Sequence, residues 1–360
     1  MHICFTTDVF YPVITGDVVR ILKDSRTLQK LGNKVSLISS YSGIGSLNCH
    51  KVKDSRPWFF LVKIVLKILE IHKKNKIDFI WCNRCYQLII LLPLSKVIGA
   101  RLVCEIHGPE KKQINLLTNS PKKFFYLLFY SFNEFLLKMA NKIVVVEQEL
   151  AGWLEKDLKV PKDKIVFIGN YPDLSVFKPT GKKLGKDFVV GYLGTLQKGR
   201  IDPLLELVAK KKKGYHFIVV GDGEDKNKVL GYKEITHLVE NDYQKIPQHI
   251  RKFDLGIIFS LSSDVVFSEK GPPIKLFEYL ACGVPVIAVN IPNLEPLIDN
   301  NRIGLMVEKN ELEQGIEKIR KNYSWYKNNV LKFREKMKDL YSWDNEKKKI
   351  AQILEGLRSK

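Results

Sequence analysis

Short apolar runs alternate with longer stretches of helical periodicity along most of this 360-residue chain, and they do so twice over. A strand can pair in parallel with an earlier one only after the chain has crossed back over the sheet, so this rhythm calls for parallel sheets covered on both faces by helices. In the first half it predicts strands near Ile3 to Thr6, Lys34 to Ser39, Asp78 to Cys82, Arg101 to Glu105 and Lys142 to Val146. Helices are predicted between them near Val18 to Leu31, Trp58 to Lys74, Tyr86 to Ile98 and Lys122 to Lys138. In the second half the strands fall near Phe188 to Leu193, His216 to Val220, Leu255 to Phe259, Pro285 to Val289 and Gly304 to Val307. The helices there fall near Pro203 to Lys210, Ile274 to Ala281 and Glu311 to Arg320. A polar, Pro- and Gly-containing stretch from Asn170 to Lys183 separates the halves and reads as a linker, with the boundary expected near residue 178.

Composition narrows the functional classes. Hydrophobic residues at 45% exclude a disordered chain, and the length exceeds that of a scaffold needing disulfide staples. Six scattered cysteines, with an opening Met1-His2-Ile3-Cys4-Phe5 that reads as a strand and not a signal peptide, lead us to expect a cytoplasmic protein. The longest apolar segments, Trp58 to Ile71 and Leu88 to Ala100, are interrupted by Lys63, Lys67 and Lys96 and fall short of a spanning helix. The net charge of +20 calls for an acidic partner: a phosphate compound, a nucleic acid or an anionic membrane. Basic excess is greater in the first half, where 27 basic and 15 acidic residues up to Lys178 give +12, against 32 and 24 beyond it, giving +8.

Ligands of open parallel sheets collect where strand ends meet helix N-termini. Four such loops stand out. The first, Pro12 to Asp17, contains Gly16, either a turn glycine or one that admits a close ligand. A second, Gly194-Thr195-Leu196-Gln197-Lys198-Gly199-Arg200, has the glycine spacing of a P-loop but Arg200 where lysine belongs and Ile201 where the metal-binding hydroxyl belongs. Nucleotide hydrolysis is therefore not expected, and two cations suited to a diphosphate, or to a merely solvated basic loop, remain. The third, Gly221-Asp222-Gly223, carries two glycines of a dinucleotide fingerprint and Lys226 at the third. In the fourth, Gly271 to Glu278 opens a helix on whose first turns Lys275 and Glu278 share a face. That spacing fits a cation for phosphate with a carboxylate for ribose hydroxyls, and equally a surface ion pair.

Taken together these residues resemble glycosyltransferase family 4, the retaining nucleotide-sugar enzymes of the GT-B fold. The resemblance rests on Pro12 to Gly16, Glu105-Ile106-His107-Gly108, Gly169-Asn170-Tyr171-Pro172-Asp173, Gly191-Tyr192-Leu193-Gly194-Thr195 and Val220-Gly221-Asp222-Gly223. It rests above all on Pro273-Ile274-Lys275-Leu276-Phe277-Glu278-Tyr279 with Cys282-Gly283-Val284-Pro285. It implies an α/β architecture of two Rossmann-like domains whose parallel sheets face a central cleft. Residues 1–178 would form the acceptor-binding domain and 179–340 the nucleotide-sugar-binding domain. Tyr341-Ser342-Trp343-Asp344 would start a last helix, about 341–360, that rejoins the first domain.

The implied catalytic residues are His107, beside the transferred sugar, Lys198 at the diphosphate and Glu278 at the donor ribose. Gly16, Gly194, Thr195, Arg200, Gly221, Gly223, Lys275 and Leu276 complete the donor site. No metal or other cofactor is implied, and the chain has no Asp-x-Asp motif. The expected reaction moves a hexose, more readily from a UDP- than a GDP-linked donor, to a lipid-linked or polysaccharide acceptor in cell-surface glycan synthesis.

Two departures from the family pattern matter: Lys270 stands where the family often has a glutamate, eight residues before Glu278, and Thr195 where an arginine is common. A catalytically inactive GT-B scaffold, and a nucleic-acid-binding protein prompted by the charge, are the alternatives. No RNA-recognition or zinc-finger motif accompanies the charge, so no nucleic-acid partner is expected. Peripheral attachment to the inner face of an anionic membrane is expected through Trp58 to His72 or the Lys122 to Tyr130 segment, although the first also reads as a core helix. Cys82-Asn83-Arg84-Cys85 has redox spacing but no second pair, and reads as structural.

Overall fold

A computed structural model describes residues 1–8, 16–40, 47–52, 57–108, 111, 123–181, 184–210, 213–259 and 272–358, the side chains of 57, 58 and 292 excepted. Contact density divides the chain into two compact units. One holds the described residues up to Asn170 together with those from Glu346 onward, and the other runs from Tyr171 to Asn345.

The first unit is built on seven parallel strands: β1 (His2–Thr6), β2 (Lys34–Ser39), β3 (Asn48–Lys51), β4 (Phe79–Cys82), β5 (Arg101–Ile106), β6 (Lys142–Val145) and β7 (Ile165–Phe167). Their order is β3-β2-β1-β4-β5-β6-β7. Phe5 of β1 stands between Leu37 of β2 and Trp81 of β4, which fixes the register at the centre. The order reverses between β1 and β4, the position at which open parallel sheets in general take their ligands. Every residue of β1 and β4 is buried, as sheets covered on both faces require.

The second unit repeats the plan with β8 (Phe188–Leu193), β9 (Tyr215–Val220), β10 (Ile235–Leu238), β11 (Leu255–Phe259), β12 (Val286–Val289) and β13 (Gly304–Val307). These strands are ordered β10-β9-β8-β11-β12-β13 and are again parallel, with the reversal between β8 and β11. Apolar clusters pack on both faces of this sheet, one around Phe253, Leu276 and Leu280 and the other around Leu204, Ile257 and Ile316.

Strands β3, β7 and β10 are absent from the sequence expectation, and all three lie at sheet edges. An edge strand is only half covered, so Asn48–Lys51 and Ile235–Leu238 carry polar residues and show no apolar run. Of the described helices absent from the expectation, the longest, Tyr323–Leu340, hides its core stripe, Tyr323, Tyr326, Val330, Phe333 and Met337, in a segment dense with lysine and asparagine.

The boundary also falls earlier than the expected residue 178. Phe177 is wholly buried in the second unit's core. Arg251 donates to the carbonyls of Val176 at 2.9 Å and Lys178 at 3.0 Å, and Arg334 donates to that of Leu174 at 3.0 Å. Residues that read as a linker by composition are thus tied down as part of the second unit. The Trp343–Arg358 helix follows, and its Glu346 accepts from the Gly169 amide at 2.8 Å.

Candidate functional site

At the carboxyl ends of β1, β4 and β5 the first unit gathers a chain of alternating charges. His107 follows β5 directly and is only 10% exposed. Its Nδ1 lies 3.1 Å from Asp17, in the first turn of the Gly16–Lys30 helix, and its Nε2 lies 3.0 Å from Glu105. Arg84, just past β4, reaches Asp17 at 2.6 Å and Asp8 at 3.3 Å, and Tyr86 donates to Asp8 at 3.0 Å. Beneath them Arg20, with no exposed surface, bonds Asp24 at 2.8 Å and lies 3.4 Å from Glu105. It also donates to the carbonyls of Ile168 and Gly169.

Buried charges persist only when paired, and here the pairing sets the protonation states. Burial alone would lower the His107 pKa, but Asp17 and Glu105 outweigh it and push the imidazole up to about 9. Burial raises the Asp24 carboxyl, while Arg20 and His107 hold Glu105 low against the same penalty. A protonated imidazole whose two ring nitrogens both face carboxylates is a fixed positive charge at a strand end, with both N–H groups directed at those carboxylates.

In the second unit the loop after β8 and the loop after β9 are pressed backbone to backbone. The Leu196 amide donates to Asp222 O and the Asp225 amide to Leu196 O, each at 3.0 Å. The Gly199 amide donates to the buried Asp225 carboxylate at 2.7 Å. Gly221 and Gly223 have φ of 157° and 151°, and a Cβ on either would stand 2.0 Å from Gly194 O or 2.6 Å from Leu196 O. That close approach of the two loops gives both glycines a packing role.

Gly194 (φ 142°) makes room for something else: a Cβ there would fall 2.3 Å from Nζ of Lys275. Lys275, from the first turn of the Ile274–Ala281 helix, lies over the Tyr192 ring at 5.0 Å. Burial first, and Arg200 second, lower its pKa to about 7, against a smaller opposing pull from Glu278. Glu278 is 3% exposed and accepts from Tyr243 at 2.6 Å.

The structure therefore brings Gly194, Arg200 and Lys275 together around Tyr192, with Arg200 bonded to the Tyr192 hydroxyl. Thr195 accepts from that hydroxyl through its carbonyl at 3.1 Å. Lys198 is exposed, its amide held by Glu224 at 3.2 Å. The Leu276 side chain is fully buried in the apolar core. Gly16 is exposed at its helix start, where a Cβ would meet nothing nearer than the Asn170 amide at 3.8 Å. Residues 12–15, 112–119 and 269–271, which include Lys270, lie outside the described residues. Sequence reasoning missed Asp17, Arg84, Tyr192 and Tyr243 as site residues. Asp17 and Tyr192 adjoin glycines already singled out, whereas nothing around Tyr243 marks it.

Residues 18–176 match the family described as Glycosyltransferase Family 4, and residues 187–324 match that described as Glycosyl transferases group 1. The chain belongs to the family 4 glycosyltransferases. Among relatives of this glycosyltransferase, the chitobiosyldiphosphodolichol beta-mannosyltransferase of Candida albicans is 24% identical over 253 residues, 61% of this chain and 54% of that one. The chain thus spans about half the length of that relative. Sucrose-phosphate synthase from Thermosynechococcus elongatus superposes with a TM-score of 0.77 at 15% identity, covering 99% of each chain. Anabaena HepE in complex with UDP-glucose does so with 0.72 at 18%, covering 99% of this chain and 100% of the other. At such identities the likeness is one of fold, two Rossmann-like parallel-sheet units of the GT-B type. Among the described residues no helix is long and apolar enough to cross a membrane.

Proposed function

We propose that this glycosyltransferase moves a hexose from a UDP-sugar to a lipid-linked or polysaccharide acceptor in cell-surface glycan synthesis, with retention of configuration, without a metal ion, and on the inner face of a membrane. The observation that carries the reading is Lys275, its ammonium set into the space left by Gly194 beside Arg200, with Glu278 one turn further along the same helix. Cleaving a glycosyl–phosphate bond leaves negative charge on the departing diphosphate while the sugar becomes oxocarbenium-like. Fixed cations at the diphosphate therefore lower the barrier. Lys275, Arg200 and the exposed Lys198 supply them, and Glu278 supplies an acceptor for ribose hydroxyls. In this reading His107, whose two ring nitrogens face Asp17 and Glu105, acts as a fixed positive charge and not as a hydrogen-bond donor to the sugar. The UDP-glucose held by HepE supports the choice of nucleotide, and the dolichol-linked substrate in the Candida enzyme's name supports a lipid-linked acceptor.

The test is transfer from a panel of nucleotide sugars in chelator-treated buffer. Glu278→Gln keeps the shape and an acceptor for Tyr243, and is expected to lower transfer by about 10²-fold or more with the folded state retained. Wild-type turnover in that variant would refute the assignment. Binding of UDP with no turnover from any donor would favour the inactive scaffold that Lys270 brings to mind.

A further inference from the structure

Three helices lie side by side on one face of the first sheet: Pro57–Lys74, Leu88–Ile98 and Lys123–Leu137, the middle one packed against both neighbours and against β5. Their inner stripes, including Phe60, Ile64 and Ile68, Leu88 and Leu91, and Leu136, join one core. Their outer surface is also apolar. Phe59, Val62, Leu66 and Leu69 run as a single exposed stripe down the first helix, and Val97, 81% exposed, stands on the second. The third exposes Phe124, Phe125, Tyr126, Leu128, Phe132 and Phe135, with Phe125 at 70%, and Met139 follows just past its end. Twelve of the twenty large hydrophobic residues exposed among the described residues sit on this one layer. A soluble surface seldom leaves so much apolar area uncovered, which makes this layer a candidate docking face.

The charges choose the partner. These helices carry Lys63, Lys67, Lys73, Lys74, Lys96 and Lys123 against Glu70 and Glu134 alone. Lys67 and Lys74 both pair with Glu70, which leaves the face with a cationic excess. A second copy seated here would oppose two faces of like charge. The apolar area also spans three helices, wider than the narrow seam that a single partner helix covers.

We propose that this three-helix layer is the face on which the protein lies against an anionic bilayer, its phenylalanines and leucines entering the acyl boundary while its lysines reach headgroup phosphates. The inference rests on the membrane-attached reading above and names the surface that makes the attachment. It assigns both segments singled out in the sequence to one platform, and it shows the first to be core on one side and exposed on the other.

Flotation of the full chain with phosphatidylcholine vesicles, with and without phosphatidylglycerol, tests it. The wild type is expected to float with the anionic vesicles. Val62→Ser with Leu66→Ser, and separately Phe125→Ser with Leu128→Ser, are each expected to weaken partitioning by about tenfold or more, and the four changes together to abolish it. A preserved thermal shift with UDP shows that the variants remain folded. Unchanged flotation of the fourfold variant would overturn the proposal, as would binding that high salt removes equally from wild type and variant. A dimer in sedimentation that the fourfold variant dissolves would assign the layer to a second copy instead. Failure of the wild type to float, with its transfer to a soluble acceptor intact, sinks this inference alone. Flotation without transfer from any donor sinks only the catalytic reading.

Discussion

His107 is the residue whose chemistry depends most on its neighbours. Its folded-state pKa of about 9 lies above the ordinary 6.5, so its pairing with Asp17 and Glu105 contributes stability below about pH 6.5 that is lost as the pH rises through 9. A shift of that size corresponds to roughly 3 kcal/mol. Asp17→Asn removes one of the two carboxylates and is expected to lower the imidazole pKa by about one unit or more, read from its ring resonances in an NMR titration. An unmoved titration would show that Glu105 alone sets the charge. Lys275 works in the opposite sense. Held at about 7 in the unliganded protein, it would be kept charged by a bound diphosphate, so binding takes up a proton above that pH. UDP affinity is then expected to fall by up to about tenfold per pH unit above neutrality, and Lys275→Met to remove that slope along with much of the affinity. Calorimetry in buffers of different ionisation enthalpy measures both, and an affinity flat from about pH 6 to 9 in the wild type would contradict the role.

Among elements, the paired loops after β8 and β9 are tightly packed against each other. Their backbones approach so closely that Gly221→Ala places a methyl 2.0 Å from Gly194 O, at a φ that side chains disfavour. Overpacking and backbone strain together are expected to cost about 1–3 kcal/mol, measurable as a lowered thermal midpoint. UDP affinity should fall as well, since Gly194 also makes the space for Lys275. A variant as stable and as tight-binding as the wild type would show that the loops part without consequence. The interior strands were legible because full burial writes continuous apolar runs into them, as in Leu255–Phe259, predicted and observed over the same residues. Edge strands such as Asn48–Lys51 were not, because half of each faces outward and tolerates polar residues. The helix Ile274–Ala281 was equally plain, with a proline before it and Gly283 after it.

For the whole molecule, each unit has its own apolar core, and the residues proposed to hold the donor, Gly16 apart, lie between Tyr171 and Asn345. Calorimetric unfolding is therefore expected to show two transitions, of which UDP raises only one, by about 2.7 kcal/mol when present at a hundred times its dissociation constant. Limited proteolysis sampled across the transitions identifies which unit is protected. Protection of the first unit instead would move the donor site. Sequence by itself determined the doubly wound plan and the glycines, cations and carboxylate at the loops and helix starts that follow the strands, because strand burial, helix periodicity and turn chemistry are local constraints on residue type. Only the tertiary structure decided that Gly221 and Gly223 serve loop packing and that Leu276 is core. It alone decided that Asp17 and Glu105 flank His107, that Tyr243 meets Glu278, and that residues 171–178 belong to the second unit. Those facts depend on which side chains meet across long sequence separations, and no local pattern records such meetings.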